Sequence, residues 1–348
     1  MELRREGGSP QAPLAGFTGP SLLPEPFVRA LRELGLGEVT GGQALTGGVS
    51  SDIWRIDTDA GSICAKRALP TLRVAAEWHA PVERNVYEAR WMRVANEAVP
   101  GIAPAVLGQH EGLGVLAMQW LSPADHVLWK HQLRDGVADP RTAAAVGRAL
   151  GRIHAFSAAR PALAAEFATD AIFFDIRLAP YLLATAQRHP VLAEALRSLV
   201  EATRGHRVAL VHGDVSPKNI LIGPHGPVLL DAECAWWGDP AFDLAFCLNH
   251  LLLKCVWTPQ ASAGYLACFD TLVANHLAQV DWEPRDALER RAAALLPGLL
   301  LARVDGKSPV EYITEDTQRD RVRRAAVPLL QRPMPTLADV ARAWKDSA

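Results

Sequence analysis

His212-Gly213-Asp214-Val215-Ser216-Pro217-Lys218-Asn219 is the stretch from which the rest of the chain is read. Asp214 and Asn219 stand five positions apart. The segment from Asn219 to Ile222 is apolar and reads as a short strand. Gly223-Pro224-His225-Gly226 is a turn, because glycine and proline supply the backbone angles a tight reversal needs. Pro227-Val228-Leu229-Leu230 reads as the returning strand, and it ends on Asp231. Such a hairpin brings Asp231 back towards Asn219 and Asp214. Two carboxylates and a carboxamide oxygen then converge, and these are the hard oxygen ligands that Mg²⁺ prefers.

Gly238-Asp239-Pro240-x2-Asp243-Leu244-Ala245 follows shortly after. His212-Gly213-Asp214, Asn219, Asp231 and this Gly-Asp-Pro segment, in order and with a hairpin between them, resemble the aminoglycoside phosphotransferase and choline kinase group of small-molecule kinases. The resemblance is most specific over residues 211–246 and extends more loosely over residues 40–255. It shares its logic with protein kinases, where a catalytic Asp, an Asn five positions on and a metal-binding Asp recur. Here no Arg follows the His, and Asp231 is followed by Ala232-Glu233. The resemblance implies an α+β, protein-kinase-like bilobal fold. The expected divisions are a flexible tail over 1–24, an ATP-binding lobe over 25–121 with a small antiparallel sheet, and a mainly helical catalytic lobe over 122–348. It implies that Asp214 accepts the proton of an acceptor hydroxyl and that Asn219 and Asp231 hold Mg²⁺ on the phosphates of ATP. No Ala-Pro-Glu element stands between Asp231 and Gly238, so a small acceptor is expected rather than a protein.

Composition agrees with that frame. The chain has 348 residues, 49% of them apolar, enough for a sizeable core. Net charge is −2 and no strongly basic run is present, which argues against nucleic acid as a partner. The five cysteines, Cys64, Cys234, Cys247, Cys255 and Cys268, contain no CxxC pair. A disulfide framework or zinc site is therefore not expected, and a reducing cytoplasm fits. The apolar run from Ala292 to Ala302 is too short to span a membrane and contains Pro297-Gly298. The first residues, Met-Glu-Leu-Arg-Arg, carry no signal-peptide core. A cytoplasmic monomer or homodimer is expected.

In the first lobe, Pro26 to Leu34 has the spacing of a short helix closed by Gly35 and Gly37. Val39–Leu45, Ile53–Thr58 and Ser62–Arg67 read as strands, with Asp59-Ala60-Gly61 as the second turn. Between the first two lies Thr46-Gly47-Gly48-Val49-Ser50-Ser51. Glycines let a backbone approach a polyanion, and Ser50 adds a donor. This stretch lacks the GxGxxG pattern, yet it precedes Lys66, one of six lysines in the chain. By resemblance, Gly47, Gly48 and Ser50 cover the ATP phosphates. Lys66 contacts the α- and β-phosphates and pairs with a helix Glu. Glu83 and Glu88 both lie on the following helix, and the resemblance, through the family's spacing to Met92 and Pro104, favours Glu88. Ala105–Gly108 and Gly114–Trp120 read as further strands. The backbone of Gln119 and Leu121 would meet adenine, with Pro123 marking the hinge.

From about residue 124 the pattern is helical. His154 shares a face with Val146 and Leu150 and reads as a satisfied core histidine. Asp239 before Pro240 marks a helix start, and Asp239 and Asp243 read as braces for the loop. Residues 261–301 read as helical, then a polar break over Leu301–Pro309 and one last helix. Three residues are candidates for the acceptor. Glu233 would offer a carboxylate to a cation, Trp236 would stack a ring or plug the core, and Arg177 would meet an anion or form an internal ion pair. The acceptor classes implied are an aminoglycoside-like antibiotic, a sugar or an amino alcohol. A 5-methylthioribose-kinase-like sugar kinase is one alternative, and a non-catalytic nucleotide- or metabolite-binding member is another. A metal-dependent hydrolase built on His212, Asp214 and Asp231 lacks a second histidine cluster and leaves Lys66 without a role.

Overall fold

Alternation along residues 51–68 builds the first lobe in the computed structural model, which describes residues 23–45, 51–69 and 83–347. Gly47, Gly48 and Ser50, and the expected tail up to residue 22, lie outside the described residues. Helix α1 (Glu25–Glu33) buries Phe27, Ala30 and Leu31, which share one face at spacings of three and four. Strands β1 (Val39–Ala44), β2 (Ser51–Thr58) and β3 (Gly61–Ala68) follow, then helix α2 (Arg84–Ala98), β4 (Val106–His110) and β5 (Val115–Gln119). The five strands form one antiparallel sheet in the order β1-β2-β3-β5-β4. Strand β2 starts at Ser51 rather than Ile53, because the hairpin stays in register as far as Ser51 opposite Ala68. In β3, Ile63 and Ala65 pack with Ile56, Val115 and Ala117 under α1. Successive side chains alternate, so Lys66 points to the other face, towards α2.

The second lobe contains β6 (Val127–Leu128), α3 (Trp129–Arg134), α4 (Pro140–Ala158), α5 (Asp170–Phe173), α6 (Ala184–Arg188) and α7 (Ala193–Gly205). Strands β7 (Ala209–Val211), β8 (Ile220–Gly223), β9 (Gly226–Leu229) and β10 (Trp236–Gly238) carry the loop region. Helices α8 (Ala241–Trp257), α9 (Ser262–Leu277), α10 (Arg285–Asp305), α11 (Asp316–Gln331) and α12 (Leu337–Asp346) complete it. Between α5 and α6 the residues Phe174–Leu183 form a π-helical stretch that contains Pro180. Proline lacks an N–H and crowds the preceding turn, which widens the ladder there, and this stretch carries Arg177. Helix α8 is buried from Ala241 to Val256 and forms the axis of the lobe. No helix of the described residues is long and apolar enough to cross a membrane.

The C-terminal third departs from the sequence reading. Residues 261–301 are helical as expected, in two helices, α9 and α10, separated by residues 278–284. The departure lies beyond them. Helix α10 continues past Leu301 to Asp305, because its polar residues find partners inside the fold. Arg303 donates to the Tyr181 hydroxyl at 3.0 Å, and Arg323 on α11 donates to both Asp305 oxygens at 2.9 and 2.7 Å. Two helices follow rather than one, and Pro333 and Pro335 stand between them.

Candidate active site

The loop after β7 and the β8–β9 hairpin converge on one point. Asn219 donates from Nδ2 to the Asp214 carbonyl at 3.1 Å. The hairpin closes with Leu230 N–H donating to the Asn219 carbonyl at 2.8 Å, which delivers Asp231 beside it. Asp231 adopts φ 67°, the left-handed region that non-glycine residues seldom occupy. That conformation turns its carboxylate out of the hairpin and towards β3. His212 bonds through Nε2 to the Leu230 carbonyl at 3.1 Å and accepts the Asp214 N–H on Nδ1 at 3.1 Å. Burial lowers its pKa, and its edge packs on Trp91 of α2 with ring centres 4.6 Å apart. A neutral, fully bonded His212 shapes the loop.

Lys66 lies where the lobes meet, and it is 3% exposed. Its Nζ stands 3.0 Å from Glu88 Oε1 and 2.9 Å from Oε2, contacts Asp231 Oδ1, and lies 3.9 Å from Glu233. Burial alone would lower the ammonium pKa, but Asp231, Glu88 and Glu233 outweigh it and hold it well above its ordinary value. Burial pushes Glu88 up to about 7 in spite of Lys66. Asp231 is held below the usual carboxylate range, since Lys66 and Lys218 outweigh its burial. Glu83, the other candidate partner, is not on the helix; it precedes the first turn of α2 and is exposed.

Asp214 is 3% exposed and carries two cations on Oδ2, Arg177 Nη2 at 2.8 Å and Lys218 Nζ at 3.1 Å. Arg177 also donates from Nε to the Gly213 carbonyl at 2.5 Å. Arg177 is therefore a buried internal partner of Asp214 and not a free anion contact. That is the internal ion pair the sequence allowed for, and two further candidates also have internal partners. Glu233 accepts from Arg84 Nε at 2.9 Å, so its carboxylate is consumed at the first turn of α2. Trp236 is 1% exposed and stacks on Phe173 at 4.2 Å, so it fills the core. Gln119 is tied to the sheet by its N–H on the Ala105 carbonyl at 2.8 Å, while Leu121 beyond it is half-buried. A cavity of about 320 Å³ is lined by Gln119 and Leu121 together with Ile102, Ala149 and Val228; Lys66 and Asp214 do not line it.

Lys218 and Arg84 are residues that the sequence reading did not single out. Lys218 had a signal, its place four residues after Asp214 and one before Asn219. Arg84 had none, because its partner Glu233 is 149 residues away.

Helix α8 anchors the loop. Asp243, wholly buried, accepts His212 N–H at 2.7 Å, Gly213 N–H at 2.8 Å and His154 Nε2 at 3.2 Å. His154 in turn bonds His276 at 3.1 Å, so this histidine is a satisfied member of the core. Asp239 is clamped by Arg291 at 2.8 and 3.0 Å. Asp243→Ala should cost about 2–5 kcal/mol of stability, because it strands two buried backbone donors. Urea unfolding checks this; a loss within error would show that the loop holds without the brace.

The donor set suits Mg²⁺. Asp231 brings a charged carboxylate, whose present counter-ion is the Lys66 ammonium, and Asn219 brings an amide oxygen; both are hard oxygen donors of the kind that would hold the ion.

Comparison with known proteins agrees with this layout. The chain is 26% identical to a methylthioribose kinase of Cronobacter sakazakii over 226 residues, 57% of this chain and 55% of that one. It is 25% identical to the methylthioribose kinase of Pectobacterium carotovorum over 270 residues, 66% of this chain and 67% of that one. The chain spans about half the length of most of the curated relatives it matches. Among solved structures, an amicoumacin kinase in complex with AMP-PNP and Ca²⁺ superposes with a TM-score of 0.51 at 12% identity, covering 87% of this chain and 91% of that one. That likeness establishes the kinase-like fold. The sequence model of the phosphotransferase enzyme family matches residues 41–271, and the chain belongs to that family.

Proposed function

We propose that this site transfers the γ-phosphoryl group of ATP to a hydroxyl of a small molecule, with Mg²⁺. The observation that carries the reading is the meeting at Lys66 of Glu88 from one lobe and Asp231 from the other. A buried lysine held by a helix carboxylate and facing a second, outturned carboxylate is suited to phosphate oxygens and their metal. Asp231 and Asn219 would hold Mg²⁺, which neutralises charge on the β- and γ-phosphates. Asp214 orients the acceptor hydroxyl and takes its proton. The acceptor oxygen forms the new bond to phosphorus as the bond to the bridging oxygen breaks and ADP leaves. The transition state is loose, so orientation matters more than early deprotonation. Arg177 and Lys218 fix the Asp214 carboxylate in place.

The methylthioribose kinases among the relatives favour a sugar-like acceptor. An aminoglycoside-like cation is less well supported, since Arg84 occupies Glu233. A non-catalytic role leaves the complete set Lys66, Glu88, Asp214, Asn219 and Asp231 unexplained. The five cysteines form no disulfide, which supports a reducing compartment such as the cytoplasm. An ATP-consumption screen with Mg²⁺ against sugars, amino alcohols and antibiotics tests the reading. No ATP use and no MgATP binding would overturn it.

The Lys66–Glu88 pair supplies a separate test. Lys66→Ala and Glu88→Ala should each lower kcat/KM for ATP, and the double variant should cost little more than one. The coupling should be about 0.5–3 kcal/mol. Glu83→Ala should be additive with Lys66→Ala. Coupling to Glu83, with additivity for Glu88, would mean that the pairing seen here is not the working one.

A further inference from the structure

Helix α8 runs away from the site with Phe246, His250, Lys254 and Trp257 at spacings of three and four, hence on one face. This row connects to Asp214 through Arg177. The Arg177 guanidinium that pairs with Asp214 lies 5.8 Å from the Phe246 ring centre and 5.9 Å from that of Tyr181. Phe246 stands 5.6 Å from the His250 ring, and His250 Nδ1 is 3.3 Å from the Tyr312 hydroxyl. From Phe246 to Lys254 the helix rises about 12 Å, the length of a small phosphorylated or carboxylated sugar.

The polar atoms on this face lack anions. Lys254 is 1% exposed, and its Nζ lies 3.9 Å from the Trp257 ring centre and 3.6 Å from that of Tyr312 without a hydrogen-bond acceptor. His250 Nε2 and Arg303 Nε are likewise buried without partners. Arg303, Lys254, Lys218 and Lys130 all surround His250 and, after burial, depress its pKa. Of the acids nearby, Asp214 is shared by Arg177 and Lys218, and Glu311 is engaged by Lys130. Burial pushes the Lys254 ammonium down to about 6, with Lys130 adding to the effect. Burying an ammonium without an anion is costly, and two ring faces do not replace its hydration. That cost leaves Lys254 an uncharged amine at neutral pH, and methionine or leucine would fill the same volume. The stranded Lys254 nitrogen and the Arg303 guanidinium, which bonds the Tyr181 hydroxyl and Ser308, answer to something outside the fold, an oxyanion whose approach would return the proton to Lys254.

We propose that the acceptor carries an oxyanion group, carboxylate or phosphate, that docks on Lys254, His250 and Arg303 while its hydroxyl lies at Asp214. The proposal rests on the phosphotransfer reading and narrows its acceptor class to acids. It separates this site from one that receives cationic amino sugars, because a cation would meet Arg303 and Lys130 with like charge.

Calorimetry on the full chain, with and without MgAMP-PNP, tests it with four probes on one skeleton: glucose, glucosamine, gluconate and glucose 6-phosphate. At least one acid should bind about tenfold or more tighter than glucose, the scale of one buried ion pair, and glucosamine should bind no better than glucose. Gluconate against glucose 6-phosphate distinguishes carboxylate from phosphate. Lys254→Met and Arg303→Gln should each bring the acid's affinity towards that of glucose while MgAMP-PNP affinity holds. Should Lys254→Met melt early, Arg303→Gln carries the comparison. Acids that bind no better than glucose, a preference for glucosamine, or acid affinity unchanged in both variants would overturn the proposal. Failure of the parent chain to bind MgAMP-PNP would instead strike the phosphotransfer reading, whose nucleotide contacts are Lys66 and Asp231.

Discussion

Asp214→Asn is expected to lower kcat by about 10²–10⁴ while MgATP affinity stays nearly unchanged, the usual scale for loss of a general base. The amide keeps the shape of the side chain and loses the charge that takes the hydroxyl proton. It also deprives Arg177, 7% exposed, of its carboxylate partner, so the melting temperature must be followed beside the rate. A rate loss with an unchanged melting temperature assigns the effect to chemistry. A kcat near that of the parent chain, measured with an acceptor from the screen, would remove Asp214 from the mechanism.

Asp231→Ala should abolish the Mg²⁺-dependent part of nucleotide binding and reduce kcat/KM for ATP by about 10²–10³ or more, the effect of removing one preorganised charged group. Lys66 keeps Glu88 in this variant, so the phosphate contact itself survives. Alanine tolerates the φ of 67° at this position less well than aspartate does. Asp231→Asn therefore belongs beside it, since asparagine accepts the left-handed backbone and lacks only the charge. Calorimetry with MgATP and with ATP alone reads the metal dependence. Unchanged affinity and turnover in both variants would make Asp231 a turn residue and nothing more.

Much of the site was legible because its signals are local. The turn Gly223-Pro224-His225-Gly226 sits between two short apolar runs, which is enough to infer a hairpin and the return of Asp231. Lys66 and Glu88 were found through the kinase resemblance, which a strand followed by a helix made readable at these positions. The acceptor side was read less well. Trp236 was open between stacking a ligand and plugging the core, and Phe173, some sixty residues earlier, decides it by stacking on its ring. Arg177 and Glu233 were considered as substrate contacts, yet each has an internal partner far away in sequence, Asp214 and Arg84. The helix boundaries after Leu301 failed for the same reason. Arg303 and Asp305 look like a polar break until Tyr181 and Arg323 are there to bond them.

By itself the sequence determined which residues are brought together where the lobes meet. Glycine turns, two-residue alternation and helical spacing act over a few residues, and they set the hairpin, the strand carrying Lys66 and the helix carrying Glu88 wherever the chain goes. Only the tertiary structure decided what those groups face. Ion pairing depends on distances of a few ångströms between elements tens to hundreds of residues apart, and no local periodicity encodes them. The pairing of Arg177 with Asp214, the capture of Glu233 by Arg84, and the stranding of Lys254 under Trp257 and Tyr312 all arise from packing around α8. Burial then converts those placements into chemistry, because a charge removed from water must find its counter-charge within the fold or in a ligand.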